Sequence, residues 1–277
     1  MEFLSFKKMH GSGNDFILID NRQGKIDDRQ GPNLAKLLCR RKFGVGADGL
    51  ILIENSNRAD FKWHFFNADG STAEMCGNGG RCAARFAHLS GIAPEKLSFE
   101  TEAGIIHAAV EKSTVKLQLT RPKDLKLDVP IKIHNKTFFL HCLNTGVPHA
   151  IYLTPDLESV PILEWGRLIR FDPLFQPAGT NVDFVQISDR QTILIRTYER
   201  GVENETLACG TGAVASAILS ACKNLTESPV KVSTLSGEIL TVYFHLEGRE
   251  VGDVFLEGEA VLVYSGEINT TAIQAHQ

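Results

Sequence analysis

The chain has 277 residues, 43% of them hydrophobic and 22% charged, with a formal net charge of −4. That is the composition of a globular protein long enough for two domains, without the positive balance that a nucleic acid or an anionic membrane demands, so the expected partner is a small molecule. Lys7, Lys8, His10, Gly11 and Gly13 interrupt the N-terminal stretch, no apolar run reaches membrane-spanning length, and cytoplasm is the expected compartment. The six cysteines then read as reduced thiols and not as a disulfide framework.

In chain order, apolar and β-branched runs at residues 16–19, 50–53, 97–101, 105–110 and 115–119 predict strands in the first half. Residues 32–42, with proline near the start, and residues 78–89 predict helices. A charged, proline-containing stretch at 121–126 reads as the crossover to a second half. There, 131–133, 138–143, 150–153, 182–187, 192–198, 230–233 and 239–244 predict strands, and 161–170 and 210–223 predict helices. Strands this crowded, with few crossover helices, point to an α+β fold in which a mostly antiparallel sheet wraps a helix. The expected division is 1–120, joined by 266–277, and 121–265.

The halves are related by a fixed interval. Cys76, in Glu74-Met75-Cys76-Gly77-Asn78-Gly79, and Cys209, in Leu207-Ala208-Cys209-Gly210-Thr211-Gly212, stand 133 positions apart. Gly13 and Gly146, Gly46 and Gly179, Gly77 and Gly210, Gly79 and Gly212, Thr101 and Thr234, and Gly104 and Gly237 repeat that interval. A duplicated fold follows, and two halves facing each other would bring two thiols to one cleft from opposite sides. Inversion at carbon needs that arrangement, an acid and a base on opposite faces, so a racemase or epimerase is expected.

Each cysteine precedes an alanine-rich run and so falls at a helix start. There the free N–H groups and the helix dipole are expected to lower the thiol pKa from about 8.5, and the same N–H groups suit a substrate carboxylate. Cys39, Cys82, Cys142 and Cys222 lie in apolar or helical stretches and read as small buried hydrophobes. Gly44-Val45-Gly46-Ala47-Asp48-Gly49 matches a dinucleotide glycine pattern, but a helix precedes it and a strand follows, the reverse of what that site requires. No histidine pair has metal-ligand spacing with a third ligand nearby, and there is no C-x-x-C, so no metal is expected. His149, after the duplicated Gly146, fits a functional and a structural role equally.

With His10-Gly11-Ser12-Gly13-Asn14-Asp15-Phe16, Phe66-Asn67-Ala68-Asp69-Gly70-Ser71, Cys76-Gly77-Asn78-Gly79-Gly80-Arg81-Cys82, Tyr198-Glu199-Arg200-Gly201 and Ala208-Cys209-Gly210-Thr211-Gly212 in one chain, the sequence closely resembles the diaminopimelate epimerases over essentially its whole length. The resemblance implies two pseudo-symmetric domains, each a barrel-like sheet around a central helix, with the site in the cleft between them, usually in a homodimer. It implies a cofactor-independent conversion of LL-diaminopimelate to the meso form, for lysine and peptidoglycan precursors, with one cysteine thiolate removing the α-proton and the other thiol delivering one. It also implies that Asn14, Asn67, Asn181, Glu199 and Arg200 hold the substrate's ammonium and carboxylate groups. Gly77, Asn78, Gly210 and Thr211 would bind the reacting carboxylate through main-chain N–H groups, and His149 and Glu199 would tune the two thiols.

The chain departs from the family's common pattern at Val147, where asparagine is frequent, at Gly49, where many members have glutamine, and in a stretch at Val202 to Glu205 that is one residue longer. These differences bear on substrate choice, and a racemase of another amino acid, such as glutamate, is the alternative activity. The retained Glu199, Arg200 and Asn181 suit a polar distal end and disfavour proline. A thiol hydrolase or redox protein would leave the duplicated cysteine unexplained, and a non-catalytic relative is expected to have lost one of the pair.

Overall fold

The computed structural model describes residues 3–27, 29–72, 75–248 and 250–269. They form two compact units, one running to Leu117 and resuming at Gly258, the other spanning Gln118–Glu257. The expected changes of unit were 120/121 and 265/266, and residues 270–277 of the expected return segment lie outside the described residues.

The first unit contains β1 (Phe3–Gly11), β2 (Asn14–Asp20), α1 (Gly31–Leu38), β3 (Gly49–Glu54), β4 (Phe61–Asn67), α2 (Gly77–Leu89), β5 (Lys96–Thr101), β6 (Gly104–Glu111) and β7 (Thr114–Leu119). The second contains β8 (Lys123–Ile133), β9 (Lys136–Asn144), β10 (Pro148–Leu153), α3 (Ile162–Arg170), β11 (Asn181–Asp189), β12 (Thr192–Glu199), β13 (Asn204–Thr206), α4 (Gly210–Cys222), β14 (Val230–Ser233), β15 (Ile239–Glu247) and β16 (Glu250–Glu259). The last strand, β17 (Val261–Asn269), pairs with β1.

The duplication is visible in the strand order. The first unit runs β17-β1-β2-β3-β4-β5-β6-β7, antiparallel except at β2–β3 and β4–β5. The second runs β8-β9-β10-β11-β12-β14-β15-β16, antiparallel except at β10–β11 and β12–β14, with short β13 also on β12. The two parallel joins thus fall at the same two places in each sheet. Each join needs a crossover, which is where the helices are inserted.

Helices α2 and α4 are the centres of their units. Residues Gly79 to Ala84, Phe86 and Ala87 of α2 are buried, and so is every residue of α4 from Gly212 to Ala221. A helix apolar on all sides is a buried helix, and the small residues of both let strands approach closely. Val214, Ile218 and Leu219 pack with Ile151, Val185, Ile193, Val232, Leu240 and Val254, and each such side chain contributes about 1.5–3 kcal/mol by leaving water. That burial fixes the helix, and with it the position of whatever stands at its N-terminus.

The expected helices are present with small changes at their ends, the largest in α1, which stops at Leu38 and not at residue 42. Strands β1, β4, β13, β16 and β17 are additional to those expected. Over much of β1 and β4 buried and half-exposed residues alternate, so Lys7, His10, Lys62 and His64 fall on the less buried face and break up the apolar runs, while Lys8 is buried at a register shift and paired with Asp15. The charged stretch 121–126 is not a free crossover. Lys123 opens β8, whose register slips twice before Val129, with Asp124 and Asp128 at positive φ, a conformation that aspartate tolerates better than most residues.

Outside the sheet of the second unit, α3 packs on β11 and β12 through Ile162, Gly166 and Ile169. A Cβ on Gly166 would lie 2.5 Å from the Tyr198 Cβ and Cγ. Gly to Ala inside a helix ordinarily stabilises by about 1 kcal/mol, but a contact this short forces the helix off its sheet, at about 1–3 kcal/mol. Gly166→Ala is therefore expected to lower the urea midpoint, and an unchanged or raised midpoint would contradict this packing.

Candidate functional site

In the first unit Cys76 is the N-cap of α2, in extended conformation at φ −139° and ψ 116°. Its Sγ accepts the Gly79 N–H at 3.4 Å and lies 3.8 Å from Asn14 Oδ1, its acceptor. Asn78 Nδ2 donates to that same oxygen at 3.4 Å. The amide of Asn14 is oriented from behind, because its Nδ2 donates to Asp48 Oδ2 at 2.8 Å and an ionised carboxylate only accepts. Asp48 is held in turn by Arg41 Nη2 at 3.1 Å and by the Asp15 N–H. Arg81, fully buried, donates to Asn78 Oδ1 at 3.0 Å and to Ser12 Oγ at 2.9 Å. Asn67 stands at the end of β4, its Nδ2 on Ser71 Oγ at 3.0 Å.

In the second unit Cys209 is the N-cap of α4, at φ −123° and ψ 108°. Its Sγ is 3.4 Å from Thr211 Oγ1, which is 3.0 Å from His149 Nε2. The other ring nitrogen of His149, Nδ1, is 2.6 Å from Asp183 Oδ2, with both side chains fully buried. Thr197 Oγ1 donates to Asp183 Oδ1 at 2.7 Å. A Cβ on Gly212 would lie 2.4 Å from that oxygen, so only glycine lets the start of α4 seat against the carboxylate. The Thr211 carbonyl accepts from Thr145 Oγ1 at 3.0 Å, which pins the first turn. Asn181 Oδ1 accepts the Arg200 N–H at 2.8 Å and its Nδ2 donates to the Pro148 carbonyl at 3.3 Å. This one buried amide therefore ties the Glu199-Arg200 corner to the residue before His149. Arg200 Nη1 donates to the Ala178 carbonyl at 2.8 Å.

Both helix starts leave N–H groups of the first turn without intrahelical partners, beside a thiol, which is an anion site by construction. The electrostatics of Cys209 correct one expectation. The helix start does not leave its thiol below the ordinary value: burial pushes the pKa up, the Glu199 and Asp183 carboxylates add to this, and the Thr211 hydroxyl and Gly212 N–H only partly oppose it. Desolvation outweighs the dipole because the thiol is enclosed. Burial likewise raises Glu199, against the Thr206 hydroxyl and His149. Burial also pushes Cys39 up to about 12 and Cys142 to about 11, which suits their reading as inert core thiols. Residues 44–49 form a turn that leads into β3 and not into a helix. Among the described residues no three His, Cys, Asp or Glu side chains gather as a metal set, and no helix is long and apolar enough to cross a membrane.

Several side chains of these clusters were missed in the sequence: Asp183, Asp48, Arg81 and Thr197. Asp183 had a signal. It interrupts the apolar run Val182, Phe184, Val185 of β11, and a carboxylate on the buried face of a strand persists only where it is paired. Arg81 had one too, as a cation in the buried helix α2.

The family model described as diaminopimelate epimerase matches residues 6–123 and 141–263. A diaminopimelate epimerase of Aquifex aeolicus is 46% identical over 98% of this chain and 100% of its own length, and one of a Hydrogenobaculum species is 45% identical over 95% and 97%. Among solved structures, a phenazine biosynthesis protein of the PhzF family from Bacillus anthracis superposes with a TM-score of 0.74 at 15% identity, covering 97% of this chain and 100% of that one. At such identity the structure speaks for the fold alone, two repeated units each built on a central helix. With a family model spanning both units and relatives matched nearly end to end, the chain belongs to the diaminopimelate epimerase family.

Proposed function

We propose that the protein converts LL-2,6-diaminopimelate to meso-2,6-diaminopimelate without a cofactor, in the supply of lysine and peptidoglycan precursors. The observation that carries this reading is the repeated cysteine N-cap, Cys76 on α2 and Cys209 on α4, each at the start of a buried helix. Inversion proceeds by removal of the α-proton to one thiolate and delivery of a proton from the other thiol to the opposite face. The main-chain N–H groups of Gly77, Asn78, Gly210 and Thr211 hold the reacting carboxylate. They bear on the charge that develops beside it, where preorganised donors act most strongly.

In one reaction direction one of the two cysteines donates the proton and the other accepts it, and the reverse direction exchanges them. Asn14, Asn67, Asn181, Glu199 and Arg200 hold the ammonium groups and the distal carboxylate, while His149 and Glu199 tune the thiols. The working protein is a cytoplasmic homodimer.

Cys76→Ala and Cys209→Ala are each expected to lower kcat/KM for diaminopimelate by about 10²–10⁴-fold or more, since each removes the acid–base group proposed for its face. Coupled assay of the two purified variants, with circular dichroism to verify folding, checks this. Near wild-type turnover by either folded variant would remove that cysteine from the mechanism.

Glu199 yields a second expectation, of opposite sign for stability and activity. Its folded pKa lies above the ordinary 4.5, with burial the main cause, so the folded state binds this proton more tightly than the unfolded state. Stability is therefore lost as pH rises from the ordinary value through the raised one. Glu199→Gln removes that loss: it is expected to unfold at higher urea than the wild type at pH 7, to lose this advantage below the ordinary carboxylate pKa, and to turn over more slowly. A variant less stable than the wild type at pH 7 would contradict the assignment of burial as the dominant cause.

A further inference from the structure

We propose that Asp183 is a positioning residue for proton transfer, holding His149 in the tautomer that lets Cys209 exchange its proton with the imidazole through the Thr211 hydroxyl. The inference rests on the epimerase reading for its purpose, but its geometry lies wholly within the second unit.

The direction of each hydrogen bond follows from the one before it. The Asp183 carboxylate accepts at both oxygens, from Thr197 Oγ1 at 2.7 Å and from His149 Nδ1 at 2.6 Å, so Nδ1 carries the hydrogen of the neutral ring. Nε2 is then a lone pair, and at 3.0 Å it takes the hydrogen of Thr211 Oγ1. A hydroxyl has one hydrogen to give, so toward Cys209, 3.4 Å away, Thr211 can only accept, and the Cys209 S–H is its donor. One acceptor-only group at the buried end thus sets the polarity of the whole chain of bonds.

The chain has a second state with the same number of protons. The S–H bond of Cys209 breaks and its proton goes to Thr211 Oγ1, while the Thr211 hydrogen goes to His149 Nε2. The products are a thiolate, an intact hydroxyl and an imidazolium paired with the Asp183 carboxylate. The hydroxyl now donates to the sulfur, and Nε2–H donates to the hydroxyl. A buried thiol flanked by carboxylates gains in this way a route to act as a base, which the reverse reaction requires. Packing alone gives little reason for the pair, because burying a carboxylate and an imidazole costs desolvation that apolar side chains of the same volume avoid.

Other ionisable groups surround the ring. Glu199 of β12 lies close enough to feel the charge of His149, and Asp124 and Lys126 of β8 and Cys142 of β9 line, with His149, a cavity of about 170 Å³. Among these groups Asp183 is the one hydrogen-bonded to the ring, which is why its replacement separates the relay from the general field.

The test uses the full chain in a Cys76→Ala background, with Thr211→Val or Asp183→Asn added, and iodoacetamide as the probe. Adducts on Cys209 are quantified by peptide mass spectrometry as a function of pH. With the relay intact, the alkylation rate is expected to show a shoulder, from the thiolate–imidazolium pair, on the acid side of the final rise at high pH. Both variants are expected to lose the shoulder, with at least about a tenfold lower rate at pH 7, the effect of one pKa unit, and to keep the high-pH limb. The ¹⁵N shifts of His149 report the tautomer independently: Nδ1–H in the parent, shifting toward Nε2–H in Asp183→Asn.

In the Cys76-containing enzyme the same substitutions are expected to lower kcat by about 10²-fold and to move KM little, with rates expressed per folded enzyme as judged by circular dichroism, because partial misfolding would also lower apparent kcat at unchanged KM. A parent profile without the shoulder, an Nε2–H tautomer in the parent, or a shoulder that survives in folded Thr211→Val would each overturn the relay. Absence of diaminopimelate turnover by the unmodified protein would dispose of the functional reading instead, and the alkylation profile would still decide the relay.

Discussion

The structure depends on a single placement, a cysteine as the N-cap of a helix that is itself the core of its unit. An N-cap has extended dihedrals while the residues after it are helical, so its side chain points along the unpaired N–H groups of the first turn. Cys76 and Cys209 both hold that conformation. Because α2 and α4 are buried by the sheets around them, these N–H groups and thiols cannot move independently of the fold. The glycines and alanines that follow each cysteine are the complement of this arrangement, since they are what allows the strands to close on the helix.

The same burial creates the main chemical difficulty. A thiol must ionise to take a proton from carbon, and enclosure opposes ionisation. The two repeats meet this with different surroundings. Around Cys76 the described contacts include two amides, the Gly79 N–H toward the sulfur and the Asn14 oxygen fixed by Asp48. Around Cys209 they are a hydroxyl, an imidazole and a carboxylate in line. The duplication therefore preserved the helix start and diverged in what tunes it, as expected of two groups that must differ in proton affinity at any one moment.

The duplication was legible in the sequence because cap and turn chemistry is local: the fixed interval between the two Cys-Gly-x-Gly motifs and their companion glycines needs no knowledge of packing. The helices were legible for the same reason, through Pro161 ahead of α3 and the small-residue runs of α2 and α4. Strands β1, β4 and β16 were not, because charged and polar residues interrupt their apolar ones, whereas β17 does carry an apolar run, Val261 to Tyr264, that was missed in the sequence. The matched parallel joins of the two sheets depend on long-range pairing that no window of sequence contains.

Of the site, the two cysteines were legible through their spacing, whereas the motif asparagines entered only through the family resemblance. Asp183 was not legible, since its meaning comes from His149, 34 positions earlier, and from Gly212 in the first turn of α4, 29 positions later. The direction of the Cys209 shift was also out of reach, because it is set by how completely the surrounding elements exclude water, and the helix dipole invoked from sequence is the smaller effect.

The claim on which the account turns is that removal and delivery of the α-proton are the work of two different thiols. It is tested most directly by converting LL-diaminopimelate in deuterated water and following deuterium at the α-carbon at early times. Two thiols predict meso product that carries solvent deuterium from the first turnovers while the recovered LL substrate remains unlabelled. Product that retains the substrate's own hydrogen, or label entering product and substrate alike from the outset, would mean that a single group performs both transfers and would contradict the account.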